Sequence, residues 1–268
     1  MELHIDRITA SHPGVTAVDD VTLTVPSGTV TSVVGPNGCG KSTLLRTLAR
    51  LHRPDSGTVT AGGADVWRLR PREAAHRIAL LPQHPIVPEA MTVSGLVAHG
   101  RHPHQGLFRQ WSVADARAAE AAMSATGVTA LADRRLETLS GGQRQRCWLA
   151  MALAQDTPVI LLDEPTSALD LGHAVEVLRL IRQVAAEGRT VVMVLHDLAA
   201  AARYSDTLVA MRDGRVVATG APRETVTTEL VAALYDVEAD VLAAPGDGAP
   251  VVVPRAGQET GGPTAASS

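Results

Sequence analysis

Residues 35–43 read Gly35-Pro36-Asn37-Gly38-Cys39-Gly40-Lys41-Ser42-Thr43. Glycines at this spacing let successive backbone N–H groups turn inward, and such a turn holds an anion with fixed dipoles. A helix starting directly after it adds its positive N-terminus. Lys41 brings a mobile cation, and Ser42 a hydroxyl that can reach a divalent ion. The pattern GxxxxGK[ST] fits the β- and γ-phosphates of a nucleoside triphosphate together with Mg²⁺. Its flanks agree: Thr29 to Val34 is β-rich, and Leu44 to Leu51 has helical spacing until Pro54 stops it.

Three further sites end apolar, strand-like runs. Val159 to Leu162 leads into Asp163 and Glu164. The first carboxylate suits a magnesium site, the second the polarisation or deprotonation of an attacking water. Thr190 to Leu195 leads into His196, an imidazole able to bond a γ-phosphate and place that water. Ile78 to Leu81 leads through Pro82 into Gln83, a neutral group for Mg²⁺ or water. An acidic turn, a lone histidine or a lone glutamine is usually a surface feature. The phosphate loop upstream is what raises all three to candidates, because strand ends in α/β sheets face the ligand.

Leu139-Ser140-Gly141-Gly142-Gln143 has two readings. It is an ordinary helix cap, or a second anion-binding helix start. One chain cannot easily apply two such turns to one γ-phosphate, so the second reading asks for another copy whose nucleotide this turn covers.

The elements that must position these residues are legible in outline. Val21 to Val25 and Thr29 to Val34 predict strands joined through Pro26-Ser27-Gly28. Thr58 to Thr60 predicts a strand, and Pro71 opens a short helix to His76. From about 84 to 155 the character turns helical, with helices over Ser112 to Thr126 and about Gln143 to Ala154. Val175 to Ala186 predicts a helix closed by Gly188. Asp213-Gly214 predicts a hairpin between Thr207 to Met211 and Arg215 to Val217. Strands alternating with helices imply an α/β fold, with antiparallel additions and a helical subdomain inserted. After Pro254 the chain is small and polar, so residues 255–268 are expected to be disordered.

Composition narrows the class. At 268 residues, 45% hydrophobic and 19% charged, the chain can bury a core. A net charge of −4 disfavours general binding to a nucleic-acid backbone. Cys39 and Cys147 are expected to be unpaired, as in a reduced compartment. No secretory signal and no apolar run long enough to span a bilayer is visible, so a soluble chain is expected.

In order along the chain, GPNGCGKST, Gln83, LSGGQRQR, VILLDEPTSALD and His196 resemble the ATP-binding cassette (ABC) transporter ATPases, over about residues 1–254. The resemblance implies a P-loop NTPase fold: a mixed sheet core, an antiparallel β-subdomain and an inserted helical subdomain near 84–155. It implies ATP and Mg²⁺ as ligands, with the phosphate loop at Gly35 to Thr43 and the metal near Ser42, Gln83 and Asp163. Glu164 becomes the catalytic glutamate, Ser167 to Asp170 the D-loop and His196 the switch histidine. Leu139 to Gln143 becomes the signature turn, facing ATP on a second copy in a nucleotide sandwich. Other implied partners are transmembrane permease subunits and, indirectly, a substrate-binding protein. The implied place is the cytoplasmic face of the inner membrane. The aromatic that usually stacks on adenine, often Tyr, is replaced here by His12.

His99 to Trp111, HGRHPHQGLFRQW, is similar to the GRxPH segment of importers for iron–siderophores, haem and vitamin B12. STLLRTLARL, LSGGQRQRCW and HDLAAAARY look most like ferric-enterobactin-type importers. Siderophore import is the cargo this implies, with cobalamin, haem or a non-transport ATPase acting on nucleic acid as alternatives. His99, His102 and His104 lack cysteine or carboxylate neighbours at ligand spacing, so they are expected to be surface-loop residues near a permease, not a metal site.

Overall fold

The computed structural model describes residues 1–83, 85, 90–106, 111–167 and 169–255. The predicted disorder of 256–268, Ala168 of the D-loop and parts of the 84–89 and 99–111 segments lie outside them.

The central sheet is mixed, in the order β10-β9-β3-β8-β7-β6. Its strands are β3 (Val30–Val34), β6 (Ile78–Leu81), β7 (Val159–Asp163), β8 (Thr190–Val194), β9 (Thr207–Arg212) and β10 (Arg215–Gly220). All neighbours are parallel except β9 and β10, the hairpin predicted around Asp213-Gly214. A parallel strand covered on both faces reads as a continuous apolar run, and β3, β7 and β8 are buried at every position.

Because side chains alternate across a strand, each run feeds two cores. Ile160, Leu162, Val191 and Met193 point to one face; Val159, Leu161, Val192 and Val194 point to the other. The second face is covered by helix α1 (Lys41–Leu48) and by a four-stranded antiparallel sheet. That sheet contains β1 (Leu3–His12), β2 (Val15–Val25), β4 (Ser56–Ala61) and β5 (Ala64–Asp65). The predicted Val21 to Val25 and Thr29 to Val34 strands exist, but Pro26-Ser27-Gly28 passes the chain from one sheet to the other. β2 also begins earlier than predicted.

α2 (Pro71–Ala75), the short Pro-initiated helix, lies beside the end of α1, and the remaining helices cover the first face. α3 (Val93–His99), α4 (Val113–Ala125) and α5 (Gly141–Ala154) pack on one another as the helical insertion. α6 (Leu171–Ala186) and α7 (Leu198–Tyr204) follow β7 and β8. α8 (Pro222–Thr225), α9 (Thr228–Tyr235) and the ribbon β11 (Ala239–Ala243) and β12 (Pro250–Pro254) close the described chain. A two-stranded ribbon is marginal alone; Val241 and Val252 anchor this one on the core, and α7 packs on β12.

The GRxPH segment is a knot. Arg101 is buried, and its Nε donates to Asp115 Oδ1 at 3.0 Å while Nη1 donates to the Ala154 carbonyl at 2.7 Å. Asp115 also accepts from the hydroxyl and backbone N–H of Ser112, the N-cap of α4. Those Ser112 bonds, with Arg101 beside them, hold the Asp115 carboxyl down at about 2. His104 bonds the Gln155 carbonyl at 2.8 Å and meets His76 edge-on. Gln155 in turn donates to the carbonyls of Ala75 and Ile78. The knot therefore ties the C-terminal end of α5 to α4, to α2 and to the strand leading to Gln83. Of the three histidines expected on the surface, His99 and His102 are exposed, but His104 is half-buried and structural.

Candidate functional site

β3, β6, β7 and β8 run parallel, with Leu81 beside Leu162 and Asp163 beside Val194. Their C-terminal ends therefore align at one edge of the sheet. The chain leaving those ends carries Gly35, Gln83, Asp163 with Glu164, and His196. A cleft of about 510 Å³ opens there, and His12, Lys41, Ser42, Gln83, Glu164 and His196 all line it. Asn37, Gly38, Gly40 and Thr43 complete its floor; Gly35, Pro36 and Cys39 form the remainder of the loop.

Gly40 sits at φ 100°, and a Cβ there would run into the Ala17 carbonyl of β2. The loop is thus fixed by the antiparallel sheet behind it, and only glycine fits. Lys41 is buried, and its ammonium donates to the Gly35 and Pro36 carbonyls, each at 2.8 Å. An ammonium has three N–H donors; among the described residues the third meets the Cys39 sulfur, at 3.8 Å. That weak contact is the one a phosphate oxygen can replace without cost to the other two. Burial pushes the Cys39 thiol up despite Lys41 pulling it down, so it is a thiol, not a thiolate.

Ser42 Oγ donates to Asp163 Oδ1 at 3.0 Å. Burial pushes the Asp163 carboxyl up; the Ser42 hydrogen bond opposes this, and the charge of Glu164 adds to it. A buried carboxylate raised in this way lacks a sufficient counter-charge. A hydroxyl, a carboxylate and the Gln83 amide are hard oxygen donors, the set that suits Mg²⁺ and not a thiophilic metal.

Glu164 occupies the left-handed region at φ 53°. For a residue with a Cβ this costs about 1–3 kcal/mol, a strain kept where the surroundings over-determine it. Its nearly buried Oε1 lies 2.6 Å from Nε2 of the half-exposed His196. At that distance Nε2–H donates to the carboxylate, so two strand ends hold a carboxylate oxygen and an imidazole ring as one unit.

His12 does not stand free. Its Nε2 is 3.0 Å from the Thr43 hydroxyl and its ring packs 4.6 Å from that of His52. Val15, exposed beside it, adds an apolar wall to the cleft that sequence reading missed. The signal was available in the alternation along β2 but was hidden by starting the strand at Val21.

Ser140 to Gln143 lies outside the cleft. Ser140 caps α5, accepting from Gln143 N–H, while Gln143 Oε1 accepts from Ser140 N–H, both at 3.2 Å. Gly142 packs against Leu169 and His173, where a Cβ would stand 3.3 Å from Leu169 Cδ2. The turn therefore borders the segment following Glu164 without reaching the phosphate loop of its own chain.

The family described as ABC transporter matches residues 18–167, more than half of the chain. This chain belongs to that family. Among the family's members, the ferric enterobactin transport ATP-binding protein of Escherichia coli (strain K12) is 47% identical over 93% of this chain and 92% of its own. A siderophore transport system ATP-binding protein of Bacillus subtilis (strain 168) is also 47% identical, over 89% and 87%. Among solved structures, a metal-chelate type ABC transporter in an inward-facing conformation superposes with a TM-score of 0.81 at 29% identity, covering 95% of this chain and 97% of that one. A dimeric bacterial ABC transporter cassette gives 0.74 at 27% identity, over 82% and 98%. The P-loop ABC ATPase fold expected from the motifs is the fold observed. As an ABC ATPase subunit the chain has no helix, among the described residues, long and apolar enough to cross a membrane.

Proposed function

We propose that this ABC subunit hydrolyses ATP to energise import of iron–siderophore complexes. The observation that carries the chemistry is the convergence of Lys41, Ser42, Glu164 and His196 on one cleft. The cargo rests on relatives at 43–47% identity whose names specify ferric enterobactin, petrobactin and achromobactin. Cobalamin and hemin import ATP-binding proteins at 44% and 43% identity supply the alternative cargo.

In this reading the loop amides and Lys41 bind the β- and γ-phosphates. Ser42, Asp163 and Gln83 hold Mg²⁺, which when bound neutralises phosphate charge. Glu164 accepts a proton from the attacking water, and His196 fixes the carboxylate and the γ-phosphate side of the site. Positioning and charge stabilisation supply most of the rate. His12 and Val15 flank the base. Ser140, Gly141, Gly142 and Gln143 close over ATP bound to a second copy, and the phosphate removed by hydrolysis releases the pair. The helical insertion near 84–155, reached through Gln83, carries closure to a permease on the cytoplasmic face of the membrane, supplied with cargo by a binding protein.

The test is uptake. A strain lacking the gene should fail to accumulate radio-iron presented as ferric enterobactin while taking up labelled cobalamin and haem normally. Loss of cobalamin uptake with iron uptake intact would transfer the assignment to the alternative cargo.

A further inference from the structure

A second hollow, of about 490 Å³, lies between α6, α7 and β12. Its wall is mostly apolar, from Leu178, Leu195, Ala199, Ala200, Tyr204 and Val251. The cation on its rim, Arg203, is already paired with Asp247 at 2.8 Å. Glu164 and His196 line both this hollow and the phosphate cleft, so the two adjoin at the catalytic pair. On its other side stands Leu169, which packs against Gly142 of the signature turn. One continuous surface thus runs from phosphate cleft through hollow to signature turn.

That order has a geometric consequence, which rests on the nucleotide-sandwich reading above. When two copies pair about a two-fold axis so that each turn covers the other's cleft, the surface lying between turn and cleft must face its own image. At the rim of the hollow Leu171, in the first turn of α6, is 83% exposed, the largest exposure of any bulky apolar side chain among the described residues. A leucine left in water beside an apolar hollow is unsatisfied in one copy and satisfied in two.

We propose that the hollow between α6, α7 and β12 receives Leu171 of a second copy, and that this reciprocal contact is part of the ATP-bound dimer interface. The ribbon β11–β12 then has a role: Val251 supplies the far wall of the seat. Seating Leu171 also closes the side of the Glu164–His196 pair that the nucleotide does not cover, so water is excluded only when both copies are present.

The experiment compares three proteins with MgATP by sedimentation velocity: the Glu164→Gln parent, the same with Leu171→Glu, and the same with Val113→Glu. Val113 is an exposed residue of α4 outside this surface and controls for the added charge. Reciprocal burial of two leucines predicts that Leu171→Glu raises the dimer dissociation constant about tenfold or more, with binding of fluorescent ATP to the monomer unchanged. Ala200→Glu, on the receiving wall, should do the same. An unchanged dissociation constant in both variants overturns the seat while leaving the sandwich intact. A parent that fails to dimerise overturns the sandwich reading and the seat together. Weakening by Val113→Glu equal to that by Leu171→Glu also overturns the seat, since the effect would then be charge alone.

Discussion

Lys41 and Arg101 are both buried cations, and the two regions built around them treat charge in opposite ways. Arg101 meets the full carboxylate of Asp115 from α4 and the backbone carbonyl of Ala154 at the end of α5. Among the described residues Lys41 donates to loop carbonyls and a thiol, while Asp163 and Glu164 are bonded elsewhere. The knot spends its charges on holding elements together. The cleft keeps them short of counter-charge, with Glu164 in a strained backbone and Asp163 raised by burial. Such an arrangement suits an anion beside Lys41 and a hard cation beside Asp163. The difference teaches that burial alone does not mark function; an incomplete set of partners does.

Substitutions sharpen that contrast. Lys41→Ala should abolish hydrolysis and weaken nucleotide binding, with the melting temperature little changed; retained turnover at saturating ATP would break the phosphate-loop assignment. Glu164→Gln should slow turnover about 10²–10⁴-fold, the range of a general base, while ATP still binds and traps a dimer, measured by steady-state phosphate release and gel filtration. Arg101→Gln should do the reverse. Removing one partner of a buried pair costs about 3–5 kcal/mol of stability, read by urea unfolding, with turnover per folded molecule nearly intact.

The knot also predicts a pH window. Asp115 has its carboxyl lowered from the usual 3.8 to about 2, so its contribution is fully present above about 3.8 and is lost as pH falls toward 2. The stability gap between wild type and Asp115→Asn should therefore narrow across that interval; a gap that widens on acidification would contradict the hydrogen-bonded pair. The smallest effect is expected at His12→Tyr. A larger ring should stack better on adenine, where stacking is worth roughly 1–3 kcal/mol per base in nucleic-acid binders. Part of that gain is offset by losing the Thr43 contact, so isothermal titration should show ATP binding tightened by only a few-fold. Unchanged affinity would remove His12 from the base site.

How much of this was legible in the sequence follows from where the contacts lie. The phosphate loop is local, so GPNGCGKST could be read outright, and so could the strand ends at Asp163 and His196. Boundaries slipped where capping replaced periodicity. α5 begins at Gly141, not near Gln143, because the Ser140–Gln143 capping box tolerates glycines in the first turn. α6 begins at Leu171, not Val175, because Asp170 caps it through His173 N–H while Leu171 faces water. β1 and the β11–β12 ribbon were missed: their alternation is irregular, and β1 carries register shifts. The Arg101 knot could not be read at all, since its partners Asp115 and Ala154 are brought to it only by the packing of the insertion.

α5 has one end in the knot and the other at Ser140. At about 1.5 Å of rise per residue its 14 residues form a strut roughly 21 Å long. Gln155, just past the fixed end, is bolted to Ala75 and Ile78, next to the strand that leads to Gln83. A tilt of roughly ten degrees about that anchorage sweeps the free end through about 4 Å, more than the length of a hydrogen bond. Small rotations at the base of the insertion are thereby geared into displacement of the glycine turn, the motion that the proposed nucleotide sandwich requires.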